Sequence, residues 1–143
     1  MSRKRYEGFS LIEILVVVAL IIILATITIV AINPGKNFKD TRNAQRSSDV
    51  NSILNAVTQY TTDRNELPEG IKSCDDVDGP SSIGTEGIDL TILTAEDQDY
   101  IVSIPTDPTN GTDAITGYTI CTVGTRIQIA APRAEGKVIS VRR

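Results

Sequence analysis

The chain has 143 residues, no histidine and a formal net charge of −4. This length has room for one domain, and the lack of histidine removes the commonest general base and metal ligand at neutral pH. The sequence contains no nucleophile–base pair, no paired carboxylates in an apolar setting, no phosphate-binding glycine loop and no basic face with interleaved aromatic residues. The composition therefore argues against an enzyme, a bound metal or cofactor, and direct binding of nucleic acid.

The first 32 residues combine a short basic leader with a long apolar run. Residues 1–8 read MSRKRYEG, whereas residues 14–32 contain no charged side chain. A helix of this length spans roughly 28 Å, about the thickness of a hydrocarbon core. Basic residues before the run predict that this end lies in the cytoplasm and that most of the chain lies outside.

A break and a second helix are predicted after the apolar run. In the segment Asn33-Pro34-Gly35, the proline disfavours helical geometry at Asn33. We predict that a helix then covers residues 37–64, with Asn37 as its candidate cap. Apolar residues recur in it at helical spacing and form one stripe. This stripe consists of Val50, Ile53, Leu54, Val57 and Tyr60.

The remainder is predicted to be an acidic loop, residues 65–114, followed by a small sheet within residues 115–142. Thirteen acidic residues face two basic ones between positions 63 and 113. Within the loop, residues 90–93 suit a short helix or strand, and residues 97–103 suit a helical turn. Apolar and polar residues then alternate in 117–122, 125–130 and 137–141, which predicts three antiparallel strands with one buried face. The fold class is α+β, with the second helix covering that face.

The segment Gly8-Phe9-Ser10-Leu11-Ile12-Glu13 closely resembles the processing site of bacterial type IV prepilins and pseudopilins. The resemblance covers residues 1–32; the rest of the chain matches only in its order of helix, loop and sheet. It implies that a prepilin peptidase removes the leader 1–8 by cutting after Gly8 and that Phe9 is then methylated. Residues 9–32 would form a transmembrane and later filament-core helix, and residues 33–143 a soluble head. Many family members carry glycine or proline inside the apolar run, and this chain has none there.

Glu13 is the candidate assembly residue. An ionised carboxylate in a membrane helix costs about 2 to 3 kcal/mol at mid-depth, so it needs a partner. In the family, this glutamate is thought to pair with the N-terminal ammonium of a neighbouring subunit. The resemblance thus implies that Glu13 and the new amino group of Phe9 set the register of assembly.

The function implied is that of a structural subunit of a type IV pilus-like surface filament. Its partners would be further copies of the chain in a helical filament, the cytoplasmic membrane before assembly, the prepilin peptidase and the pilus assembly machinery. Two alternatives remain: a pseudopilin of a type II secretion or DNA-uptake system, and a membrane-anchored binding domain that never polymerises.

Two further sets of residues outside the leader and the apolar run have candidate roles. Because the head is expected outside the cytoplasm, a disulfide between Cys74 and Cys121 is favoured over two free thiols. Oxygen-bearing residues in two turns resemble calcium ligands, but neither set has EF-hand spacing, and solvated turn residues are the favoured interpretation. These are Asp107, Asn110 and Asp113 in one turn and Asp75, Asp76 and Asp78 in the other.

Overall fold

The computed structural model describes residues 8–95 and 100–143. Residues 1–7 of the predicted leader lie outside these ranges, as does the first part of the helical turn predicted at 97–103. Residues 100–103 of that turn are described and contain bends instead of helix. The chain forms two compact units, which divide between Phe38 and Lys39.

The first unit contains helix α1, Leu11–Ile32. None of its 22 residues is buried. Its two polar side chains after Glu13 satisfy their hydroxyl groups within the helix, because Thr26 and Thr28 donate to the carbonyl oxygens of Ile22 and Leu24 at 2.8 Å. Hydroxyls bonded in this way remove the need for an outside hydrogen-bond partner. The helix therefore presents an almost wholly apolar surface.

Asn33 ends α1 and starts helix α2, Pro34–Arg64. Its backbone is left-handed, with φ 47° and ψ 73°, which confirms the predicted break before the proline. Its side-chain oxygen accepts from Lys36 N at 3.3 Å. The predicted cap at Asn37 was wrong by one turn, since Pro34 suits the first helical position, where no N–H donor is needed. The Asn37 side chain instead donates to Ile32 O at 3.1 Å.

Within the second unit, the predicted apolar stripe of α2 is confirmed as one side of the core. All five of its residues are buried, and Val50, Ile53 and Val57 are completely inaccessible. The helix ends before Asn65, whose φ of 57° is a left-handed conformation common after a last helical turn.

The sheet packed in the second unit has four strands, one more than predicted. In the order β1-β2-β3-β4 they are Ser81–Ser82, Thr119–Val123, Arg126–Ala130 and Ser140–Arg142, and every neighbouring pair is antiparallel. Strand β1 has two residues, which is too short to produce an alternating pattern. The prediction of an α+β fold is confirmed, while the count of three strands was wrong.

The acidic loop contributes directly to the core. Ile83, Leu90 and Leu93 are at most 1% exposed. They pack in the same cluster as the α2 stripe and the inward side chains Ile120 and Ile129. Residues Thr91–Thr94 form a 3₁₀ helix, so of the helix and the strand considered for 90–93 the helix is present. The loop is thus held in place by apolar burial despite its high charge.

The two cysteines attach the start of this loop to the sheet. Cys74 and Cys121 are joined in a disulfide, with their Cα atoms 5.0 Å apart. Beside it, Cys74 N donates to Thr122 O at 2.9 Å, and Thr122 N donates to Lys72 O at 2.9 Å. Residues 72–74 therefore run along the edge of β2, next to the short pairing made by β1.

Candidate assembly site

The predicted cleavage point lies in an exposed segment before α1. Phe9 is 79% exposed. A Cβ atom added at Gly8 would meet no atom of the described residues within 4 Å. The packing of the chain therefore places no demand for glycine at this position.

Ser10 caps the start of α1. The Ser10 hydroxyl oxygen accepts from Glu13 N at 3.2 Å, and the Ser10 carbonyl oxygen accepts from the same N–H at 3.1 Å. Ser10 is the N-cap and Glu13 is the third helical residue, the two positions of a capping box. Ser10 was missed as a site residue, although the Ser-x-x-Glu spacing is visible in the sequence.

The Glu13 carboxylate has no cation within ion-pair distance in the described part of the chain. It lies in the first turn of α1, where the helix dipole favours a negative charge. Phe9 lies four residues earlier in the chain, before α1 begins. The site therefore offers an exposed carboxylate beside the residue that cleavage would turn into a new N-terminus.

Helix α1 is long and apolar enough to cross a membrane, with a mean hydropathy of 3.3 and no buried residue. An exposed apolar surface of this extent is unfavourable in water and calls for a bilayer or other apolar helices around it. A basic segment followed by such a helix is the arrangement of a membrane-anchored precursor.

A second polar site lies inside the head, where Arg46 is 1% exposed. Its guanidinium donates from Nε to Asp107 Oδ2 at 2.7 Å, from Nη2 to Asp107 Oδ1 at 3.2 Å, and from Nη2 to Thr109 Oγ1 at 2.8 Å. Glu135 bridges two arginines, with 2.6 Å to Arg42 Nε and 3.3 Å to Arg46 Nη1. We call Arg42, Arg46, Asp107 and Glu135 the buried-arginine cluster.

The carboxyl groups of this cluster remain ionised. Burial raises the pKa of Asp107, but hydrogen bonds from Arg46 and from the backbone of Thr109 outweigh that effect and leave the pKa below its ordinary value. The hydrogen bond from Arg42 lowers the pKa of Glu135 to about 2, with Arg46 adding to the effect against partial desolvation. The cluster therefore joins α2, the end of the acidic loop and the connection between β3 and β4 by charged hydrogen bonds.

Asp107, one of the candidate calcium ligands, is paired with Arg46 instead. Both of its carboxylate oxygens accept from Arg46, and Oδ1 also accepts from Thr109 N at 2.9 Å. Within residues 8–95 and 100–143, no group of three or more carboxylate or cysteine side chains is arranged to hold a metal ion. Sequence reasoning did not detect the cluster, because an arginine and an aspartate 61 positions apart have no shared local pattern.

Comparison with known proteins supports the assignment of a processing motif at the N-terminus. Residues 3–29 match the model of the prokaryotic N-terminal methylation motif. Over 108 residues the chain is 28% identical to the type II secretion system core protein G of Aeromonas hydrophila, an alignment that covers 76% of this chain and 71% of that protein. No solved structure matches the chain significantly. The predicted resemblance to the type IV pilin and pseudopilin family is therefore confirmed.

Proposed function

We propose that this protein is the structural subunit of a type IV pilus-like filament, cut after Gly8 by a prepilin peptidase and assembled through α1. The observation that carries the proposal is the apolar helix α1, whose 22 residues are all exposed and which directly follows the processing motif. Such a helix suits two environments in turn, a bilayer before assembly and a bundle of identical helices afterwards.

The surroundings of Gly8 support processing by an outside enzyme. Since no described neighbour of Gly8 excludes a side chain, the fold does not explain the glycine. A peptidase that must bring the backbone close to its catalytic groups does explain it, because glycine lacks a Cβ atom. Methylation of the released Phe9 amine retains its positive charge.

Glu13 supports assembly by charge pairing. Its carboxylate is exposed and lacks a cation within reach in the described chain, while cleavage creates an ammonium group at Phe9. In the helix bundle of a filament, the Glu13 carboxylate of one subunit would accept the Phe9 ammonium of its neighbour. Pairing removes two uncompensated charges from an apolar interior and selects one axial register.

A second candidate function is that of a pseudopilin in a secretion system. The similarity to the type II secretion system core protein G favours it over a long motility or adhesion pilus. The two differ in the amount of filament outside the cell, so the quantity of this subunit in sheared surface fractions separates them. A membrane-anchored binding domain that never polymerises would keep its leader.

Intact-mass measurement of protein extracted from membranes of its host tests the proposal. We expect a chain that begins at Phe9 and carries one added methyl group. Gly8→Val should leave the precursor uncut. Gly35→Ala should be cut normally, because its added Cβ atom would make only an ordinary contact with Asn33 Oδ1 at 3.8 Å. A mature wild-type chain that still begins at Met1 or Ser2 would contradict the proposal.

A further inference from the structure

A groove with acidic walls lies at the end of the head that contains the C-terminal end of α2. Its volume is about 620 Å³. Side chains from the end of α2 and from two parts of the acidic loop line it, chiefly Tyr60, Glu66, Leu67, Glu69, Ile88 and Asp89.

The groove combines an apolar floor with three carboxylates. Tyr60 and Ile88 are buried, and Leu67 is 40% exposed. Neither Glu66 nor Glu69 has an ion-pair partner within the described ranges, and no lysine or arginine lines the groove. An occupant that suits this surface carries an apolar side chain beside a positive charge.

The turn Lys137-Val138 has that chemistry. Val138 is 91% exposed, and Lys137 beside it is exposed as well. The turn is anchored on both sides. Before it, Glu135 is held by Arg42, and after it, the buried Ile139 accepts from Ala131 N at 2.9 Å. A turn held in place in this way loses little freedom on binding.

Two other valines in the described chain are more than nine-tenths exposed, and neither suits the groove as well. Val77 lies between Asp76 and Asp78, so it would bring negative charge to an acidic surface. Val102 has no charged residue next to it. Val138 alone among the three follows a lysine.

The turn and the groove lie at opposite ends of the head along α2. The backbone oxygen of Glu135, directly before the turn, accepts from the Asn43 side chain at 2.8 Å. Tyr60, in the groove, is seventeen residues further along the same helix. At 1.5 Å per residue, the two positions are separated by roughly 25 Å along the α2 axis. A turn and a groove on the same subunit therefore cannot meet, while those of two subunits stacked end to end can.

We propose that the acidic groove of one head receives the Lys137-Val138 turn of a second copy. Val138 would cover Leu67 and the apolar floor, and the Lys137 ammonium would lie between the Glu66 and Glu69 carboxylates. The contact joins two different surfaces, so it is heterologous and does not close as a two-fold dimer. In a helical filament such contacts continue from one subunit to the next. This inference rests on the proposed filament function and adds a contact between heads to the packing of α1.

Cross-linking in intact cells tests the contact with the full-length chain. In the variant Ile92→Cys with Val138→Cys, one new thiol lies in the groove and the other on the turn. A short bismaleimide, which does not react with the Cys74–Cys121 disulfide, should yield a ladder of dimers, trimers and larger species. The matched control, Ile92→Cys with Val77→Cys, should yield little above monomer.

A charge exchange gives an independent measurement of the same contact. Lys137→Glu should lower the filament yield by about fivefold or more, the size expected for an exposed ion pair replaced by a repulsion. Adding Glu69→Lys in the same chain should restore most of the yield. Asp78→Lys, also an exposed acid, should not restore it.

The outcomes separate this inference from the proposed function. Filaments built from chains that begin at Phe9, without a ladder from the cysteine pair, would overturn the head contact and leave the function intact. A single Val138→Cys variant that gives dimers alone would also overturn it, since that result requires two identical surfaces to meet. Uncut wild-type chains and no filaments would instead overturn the proposed function.

Discussion

The guanidinium of Arg46 and the carboxylate of Asp107 form a two-bond ion pair in which the side chains are 1% and 0% exposed. The pair links the first part of α2 in the head to the end of the acidic loop. No buried polar side-chain atom in the described chain lacks a hydrogen-bond partner, so the charges are compensated where they lie. Loss of either partner would leave the other charge buried and unpaired.

Replacement of Arg46 should therefore strongly destabilise the head. We expect Arg46→Met to lower the free energy of unfolding by about 3–5 kcal/mol, the usual cost of breaking a buried ion pair. Urea unfolding of the full chain in detergent, followed by tyrosine fluorescence, measures this change. Arg46→Met with Asp107→Leu should recover part of the loss, because no unpaired charge remains. An Arg46→Met variant with the wild-type midpoint would contradict the role of the pair.

Stability of the head should fall with decreasing pH because of Glu135. The folded-state pKa of about 2 lies below the ordinary value of 4.5, so folding favours the ionised form. The resulting stabilisation is complete above about pH 5 and is lost as the pH falls towards 2. The urea midpoint measured at several pH values should decline over this range, and Glu135→Gln should flatten the decline.

Asp78→Asn is a suitable control for that pH profile. Asp78 also has a lowered pKa, because Lys72 donates a hydrogen bond to it at 2.7 Å. Its side chain is 73% exposed, so water and salt screen the pair, and its loss should change the profile little. If Asp78→Asn flattened the decline as much as Glu135→Gln, the assignment to the buried-arginine cluster would be wrong.

The Cys74–Cys121 disulfide should be present in the mature protein and should stabilise it. Peptide maps made with and without reduction should differ by one cross-linked peptide that contains both residues. Replacing both cysteines with alanine should lower the free energy of unfolding by about 2–4 kcal/mol, since the bond closes a loop across 47 positions. Complete alkylation of both thiols in unreduced protein would rule the bond out.

Glu13→Gln should block assembly without blocking processing. The substitution keeps the shape of the side chain but removes its charge, so the Phe9 ammonium would face an apolar bundle without a partner. We expect chains that are cut and remain in the membrane, with few or no filaments by electron microscopy of sheared fractions. Ser10→Ala removes only the cap, worth about 1 kcal/mol, and should leave assembly nearly normal. Wild-type filament yield from Glu13→Gln would show that the charge does not govern assembly.

The features that follow from neighbouring residues were available before the structure. The apolar run predicts α1, because nineteen uncharged residues leave no alternative to a helix in a bilayer. Spacing within one helix predicts the buried stripe of α2, and alternation predicts β2 and β3. The third predicted strand, 137–141, overlaps β4 only at Ser140 and Val141. Such patterns identify the buried face of a helix or strand, because each follows the repeat of that one element.

The features that join distant positions required the folded chain. Three features depend on how the elements pack. They are the contact between Arg46 and Asp107, the addition of the two-residue β1 to the sheet, and the location of the Lys137-Val138 turn at the far end of the head from the acidic groove. None of these three features produces a periodic pattern in the sequence. Asp107 compensates the buried charge of Arg46, and apolar packing places the acidic loop. Both effects act between residues that are far apart in the sequence.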